Sequence, residues 1–286
     1  MLQCWNFLLN TNIYISLAAV LLTLATQVQL GMRPQFHPYL FLLFFATLFD
    51  YNLHRLITVL TNKAALQSEK HRWVKAHLKQ FYVMMGLSVL GFLWAVLDAD
   101  KKVLLTLTPF AILTLFYSLP VFKSKKNIFR LRDIAFLKIF LIAIVWSAST
   151  IFLPVIQGQT KHAILSVGLL FIERFLFIFA ITIPFDIRDM AADSQQGLKT
   201  IPLVMGKKNA LTLANIALVC FTGLSLLHYN QPDFYRINIA LAVSALSSFI
   251  FINNKKLQQV PFYHYGILDG TMLLQGILVL AAYYLT

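Results

Sequence analysis

The stretch Ala163-Ile-Leu-Ser-Val-Gly-Leu-Leu-Phe-Ile-Glu-Arg-Phe-Leu-Phe-Ile-Phe-Ala-Ile-Thr-Ile-Pro-Phe185 runs directly into Asp186-Ile-Arg-Asp-Met-Ala-Ala-Asp193. Its first part meets the length of about 20 mostly apolar residues that a helix needs to cross a bilayer. In hydrocarbon each backbone N–H and C=O must be satisfied within its own segment, so such a run is read as a helix. Its second part carries three aspartates immediately where the apolar run ends. The stretch thus sets the fold class and shows where the chemistry begins.

Working outward, apolar runs of similar length recur along the chain. With 163–185 they form nine candidate spans: 13–31, 38–60, 81–97, 102–120, 135–156, 163–185, 209–228, 234–252 and 267–285. Composition agrees, with 59% hydrophobic and 12% charged residues, against about 25% charged in a soluble domain. The runs are spread over the whole chain, so a signal peptide on a soluble domain does not account for them. The expectation is one all-α polytopic membrane domain over residues 1–286, a bundle of nine transmembrane helices. Cys4 and Cys220 form no CxxC and fall in or beside apolar segments, which excludes a redox or zinc motif built on them.

The loops alternate in basic charge. One set contains Lys63, Lys70, Arg72, Lys75, Lys79, Lys123, Lys125, Lys126, Arg130, Arg132, Arg188, Lys199, Lys207, Lys208, Lys255 and Lys256; the other only Arg33, Lys101, Lys102, Lys161 and Arg236. By the positive-inside rule the first set faces the cytoplasm, giving a cytoplasmic N-terminus and cytoplasmic polar loops in a membrane of the bacterial inner type. The net charge of +13 is therefore assigned to membrane orientation and not to nucleic acid, which needs a basic face on a water-exposed domain.

Four polar clusters interrupt this pattern, and polar groups in a membrane domain are functional candidates by default. In the first, Asp186, Asp189 and Asp193 fall within about 60° of one another on a continuing helix. Three carboxylates on one face need a cation. Oxygen-only ligands suit Mg²⁺, which pairs one or two carboxylates with substrate phosphate oxygens; a solvated helix end pairing with Arg188 and Lys199 is the alternative. In the second cluster, Tyr117-Ser-Leu-Pro-Val-Phe-Lys-Ser-Lys-Lys-Asn127, Pro120 stops a helix and the lysines face anionic lipid or a phosphate. The third, Asp50-Tyr-Asn-Leu-His-Arg55, puts Asp50, His54 and Thr58 on one stripe, with Asn52 and Arg55 facing elsewhere. The fourth, Glu173-Arg174 with Lys138, reads as buried charges that pair across helices.

Together, the polar end of the second helix, the YSLPxxKxKKN loop and the D-x₂-D-x₃-D-x₃-G-x₂-T-x-P-x₃-G segment resemble the UbiA superfamily of intramembrane prenyltransferases. Asp189 and Asp193 match that family's second DxxxD, continued by Gly197, Thr200, Pro202 and Gly206. Asp186, Tyr117, Ser118, Pro120, Lys123 and Lys125 resemble its chlorophyll-synthase-like members. At the first motif, typically NDxxDxxxD, this chain retains at most one carboxylate.

The resemblance implies a transferase that moves an isoprenyl group from a prenyl diphosphate to an aromatic or lipid-like acceptor. It implies Mg²⁺ held by Asp186, Asp189 and Asp193. Lys123 and Tyr117 join these aspartates as catalytic candidates, and Asp50, Asn52, His54, Arg55, Lys125 and Lys199 are candidates for binding the substrate. With the first motif reduced, a single Mg²⁺ and direct contact of His54 and Arg55 with the diphosphate are expected. Phe171, Phe175, Phe177 and Phe179 are candidates to line a tunnel for the isoprenoid tail, lipid-facing or core packing being the alternative for each ring. A catalytically degenerate isoprenoid binder and a transporter remain as other readings.

Overall fold

The computed structural model describes residues 2–61, 69–119, 122–124, 127–158 and 163–285. Helices dominate: α1 (Leu2–Asn10), α2 (Ile13–Gln29), α3 (Pro38–Thr61), α4 (Glu69–Ala76), α5 (Leu78–Asp98), α6 (Lys101–Ser118), α7 (Leu137–Gln157), α8 (Ile164–Gln195), α9 (Ile201–His228), α10 (Tyr235–Asn253) and α11 (Asp269–Tyr284). The exception to the all-α expectation is a short hairpin between α6 and α7, β1 (Phe122–Ser124) antiparallel to β2 (Asn127–Phe129).

Among the described residues each of the nine expected spans falls mainly on a helix, but only seven helical segments are long and apolar enough to cross a membrane: Pro38–Leu60, Leu78–Asp98, Leu137–Gln157, Ile164–Gln195, Ile201–His228, Pro232–Asn253 and Tyr263–Tyr284. Two of the nine fall outside that set. The helix Ile13–Gln29, of 17 residues, is apolar but shorter, and α6 opens on Lys101 and Lys102. The chain is an integral membrane protein.

α8 is the axis of the bundle, packed between α7 and α9. Its 32 residues give about 48 Å at 1.5 Å per residue, against a hydrocarbon core of about 30 Å, so its last turns reach past the lipid. α2 is buried along most of its length, with Ala18, Ala19, Leu22, Thr23, Ala25 and Thr26 at most 1% exposed, because small side chains let membrane helices approach closely. α5 is the reverse: Leu87, Leu90, Leu93 and Leu97 are exposed, as befits a lipid-facing helix.

The charges of the middle of α8 find partners on different helices. Glu173 accepts from His228 Nδ1 at 2.6 Å, and Arg174 donates to Gln29 Oε1 at 2.9 Å and to the Leu22 carbonyl at 3.3 Å. Cross-helix pairing is as expected, with Glu173 and Arg174 satisfied separately. Each of the four α8 phenylalanines packs on another ring: Phe177 on Phe221 in the core, Phe171 stacked on Phe152, Phe175 stacked on Phe140, and Phe179 tilted against Phe140.

Candidate functional site

The end of α8 is built by its glycine. Gly197 takes φ +70°, open to it without a Cβ clash. Leu198 N–H then reaches the Asp193 carbonyl at 2.9 Å and Gly197 N–H the Ser194 carbonyl at 3.0 Å, the paired bonds that close a helix C-terminus. Helical geometry thus persists through Asp193. The chain restarts at Thr200, which precedes α9, with Pro202 in its first turn, where a missing N–H costs nothing. Gly206 (φ +83°) then kinks α9. The D-x₂-D-x₃-D-x₃-G-x₂-T-x-P-x₃-G spacing is, in structural terms, a helix end, a tight return and a restart.

This geometry brings the three aspartates together around one ammonium. Lys138, on the first turn of α7, lies 2.8 Å from Asp186, 3.6 Å from Asp189 and 3.6 Å from Asp193. Asp186 and Asp193 are buried, at 2% and 3% exposure. Asp189 is more open, and Arg188 grips it through Nε at 2.7 Å and Nη2 at 3.0 Å. An ammonium among three carboxylates, with Arg188 on Asp189, offsets part of the like-charge repulsion that the spacing alone implied.

The donor set has the chemistry of a site for a hard divalent cation. All its ligands are carboxylate oxygens, and Asp186 Oδ1 and Asp193 Oδ2 are buried with Lys138 as their partner cation, a donor set that suits Mg²⁺ chemistry. The side chains are nevertheless arranged about Lys138: among the described residues no preassembled group of three or more metal-ligating side chains is found.

Across the mouth, α3 is different. Asn12 is left-handed (φ 63°) and separates α1 from α2. Asn52, fully buried, donates to the Thr11 carbonyl at 3.0 Å and accepts from Asn12 at 2.7 Å, while Arg55 donates to the Asn10 carbonyl at 3.0 Å. Carbonyls freed at the break are thus capped by α3 side chains. Asn52 is therefore not brought to the mouth as the sequence suggested. Asp50 accepts from Ser118 at 3.5 Å, and His54 Nε2 faces Arg132 Nη1 at 2.7 Å, not Asp50. Thr58 donates to the His54 carbonyl at 2.9 Å.

Tyr117 joins this side, 6.4 Å ring to ring from His54 and 5.9 Å from the Arg132 guanidinium. Lys125 lies outside the described residues, as does Pro120, and of Lys123 only the backbone, paired with Ile128, is described. Lys199 is exposed; its carbonyl accepts from Phe136 N–H at 2.9 Å, and its side chain does not enter the Lys138 group.

Below the mouth, between α3, α6 and α7, lie two adjoining hollows of about 140 and 200 Å³. They share Asp50, Tyr51, Thr114, Val145 and Trp146. The inner one begins at His54, Tyr117 and Ser118; the other continues along Leu107, Phe92 and Phe110. Trp146 Nε1 donates to Tyr51 Oη at 3.2 Å, so a polar rim passes into an apolar, aromatic-lined channel.

Sequence reading missed Lys138 as the partner of the aspartates, Arg132 as the partner of His54, and Trp146 as a wall of the channel. The charge of Lys138 inside an apolar run was a usable signal; the other two depend on packing.

The profile of the UbiA prenyltransferase family matches residues 75–263. Among solved structures, a UbiA homologue from Archaeoglobus fulgidus bound to DMAPP and Mg²⁺ superposes with a TM-score of 0.67 at 15% identity, over 96% of this chain and 97% of that one. The same protein bound to GPP and Mg²⁺ gives 0.64 at 16% identity, over 96% and 99%. A digeranylgeranylglyceryl phosphate synthase gives 0.54 at 16%, over 99% and 98%. At these identities the likeness establishes the fold. Among curated proteins no sequence matches.

Proposed function

The chain belongs to the UbiA prenyltransferase family, and from that premise we propose that it is an intramembrane prenyltransferase moving an isoprenyl group from a prenyl diphosphate to an apolar acceptor, aromatic or lipid-like. One observation carries the reading: Asp186, Asp189 and Asp193 are gathered at the end of α8 on the same side of the molecule as a channel whose rim is polar and whose depth is apolar. A diphosphate head and an isoprenoid tail need that polarity.

In this reading the whole chain is one domain of nine spans, with its N-terminus and the mouth on the cytoplasmic side of an inner membrane. Asp186, Asp189 and Asp193 hold Mg²⁺, which when bound supplies the positive charge that stabilises a departing diphosphate. Lys138, freed from part of its carboxylate contact, turns its ammonium to the phosphate oxygens. Arg132, holding His54, adds positive charge at the rim, where Tyr117 also stands, and Lys123 and Lys125 are kept as candidates on the resemblance of their motif alone. Charge placed in advance where negative charge develops is the largest contribution expected in such a site.

Trp146 and Tyr51 offer aromatic faces to the allylic cation, worth about 0.5–2 kcal/mol for a well-placed contact. The channel walls keep water from that cation until the acceptor attacks. The A. fulgidus homologue bound to DMAPP or GPP with Mg²⁺ supports the substrate class.

The test is purified protein, geranyl diphosphate and a membrane-lipid extract, with product analysis by mass spectrometry. Mg²⁺-dependent release of diphosphate with a prenylated product is expected, and wild-type rates in both Asp189→Ala and Asp193→Ala would end the proposal. The single carboxylate left on α3 supports a second reading, an isoprenoid binder without turnover; thermal stabilisation by geranyl diphosphate with no product from any acceptor would select it.

A further inference from the structure

Beside the carboxylates, α3, α4 and α8 direct three cations onto one ring, that of Tyr265 in the π-helical turn Tyr263–Leu268 before α11. Lys70 Nζ stands 3.9 Å from the ring centroid, the Arg188 guanidinium 5.3 Å and the Arg55 guanidinium 5.9 Å. Arg188 also donates to the Tyr265 hydroxyl at 3.0 Å. Lys70 and Arg55 are buried, at 7% and 9% exposure.

A ring attracts each cation but carries no net charge, so it cannot offset the repulsion among three. The nearby carboxylates do not balance them. Asp189 is already shared between Arg188 and Lys138, and among the described residues Asp269 forms no ion pair within 4 Å. Burial, then Arg55 and more weakly Arg188, hold the Lys70 ammonium well below the usual lysine range, against the pull of Asp269. Arg188 has Asp189 as its anion, whereas the buried Arg55 and Lys70 have no carboxylate within 4 Å among the described residues, and buried like charges of this kind call for one.

We infer that Arg55, Lys70 and Arg188 form a fixed-charge site for one phosphate of the diphosphate substrate, on the side of the mouth where α3 has few carboxylates. The guanidinium forks of Arg55 and Arg188 match phosphate oxygens in pairs, and Lys70 adds a point charge. Arg188 joins the two halves of the mouth, since the same side chain touches Asp189 and Tyr265. The inference rests on the prenyl diphosphate reading and deepens it: this half of the site binds without a metal ion.

The test uses the full chain in nanodiscs, titrated with geranyl diphosphate by calorimetry in EDTA and again in Mg²⁺. In EDTA the wild type binds, Lys70→Met weakens binding by about tenfold, the loss of one charge-assisted contact, and Lys70→Arg retains it. Lys101→Ala, a charge removed from an exposed position that has no part in the site, binds as the wild type. With geranyl diphosphate present, Mn²⁺ titration followed by electron paramagnetic resonance counts one ion per chain. Binding that vanishes in EDTA, returns in Mg²⁺ and comes with two Mn²⁺ ions overturns the fixed-charge site and leaves the prenyltransferase reading standing. Undiminished EDTA binding by Lys70→Met also overturns it. No binding of geranyl diphosphate with or without Mg²⁺ removes both.

Discussion

The C-terminal ends of α3 and α8 face each other across one mouth and solve opposite electrostatic problems. α8 gathers three carboxylates and borrows a cation from α7, the ammonium of Lys138. α3 directs its amide and one guanidinium hydrogen bond to the carbonyls of the α1–α2 break, leaving Asp50 as its only carboxylate. One end is built around negative charge and the other around positive charge and structural hydrogen bonds. A symmetric role for the two ends, each holding a metal through aspartates, is therefore not what these side chains provide; the difference teaches that a shared fold keeps the mouth while its two lips change chemistry.

The asymmetry is broken most directly at α8. Asp193→Ala should lower turnover of geranyl diphosphate at least about 100-fold, the scale of losing a preorganised electrostatic group, measured as diphosphate release by purified protein. An equal loss from Asp50→Asn would restore symmetry and defeat the comparison.

The second largest effect concerns the borrowed cation. Lys138→Met leaves buried carboxylates uncompensated, which costs about 3–5 kcal/mol when one partner of a buried pair is removed. Thermal unfolding in detergent should show a large drop in midpoint that millimolar Mg²⁺ partly reverses. No recovery with Mg²⁺ would mean that the carboxylates do not accept a divalent ion.

Smaller again is Asn52→Ala. It removes two buried hydrogen bonds at the α1–α2 break and should cost about 1–3 kcal/mol of stability, with the KM for geranyl diphosphate unchanged; a raised KM would move Asn52 into the mouth. Lys199→Ala should be the mildest, with stability within about 0.5 kcal/mol, as for an exposed position without special contacts, and turnover as in the wild type.

What could be read from the sequence followed from periodicity. The aspartates at 186, 189 and 193 share a face because a helix turns by a fixed angle, and that held because Gly197 ends the helix only after Asp193. The helical stretches were legible for the same reason, since lipid leaves the backbone no other choice. The number that crosses was less so, because α2 is a turn or so short and α6 starts on two lysines. The role of Asn52 was illegible, as was the bond of Arg55 to the Asn10 carbonyl: both depend on Asn12 adopting a left-handed backbone forty residues upstream of Asn52. The phenylalanines of α8 were equally so, since which face of a wholly apolar helix meets a channel is decided by its neighbours. Tyr265, at the focus of three cations, sits in an irregular turn that no period announces.

The Lys138 cluster also bears on how the chain is assembled. α7 begins on a lone lysine and α8 ends on three carboxylates, of which Arg188 holds only Asp189; side by side, the Lys138 ammonium offsets part of that negative charge. A slip of one helical turn, about 5.4 Å, would carry the ammonium away from Asp186, where it now sits at 2.8 Å. The two helices follow one another in sequence, so the cluster acts as a gauge of register for the hairpin: a misaligned pair leaves the buried Asp186 carboxylate without its ammonium, and the aligned pair is favoured by that difference.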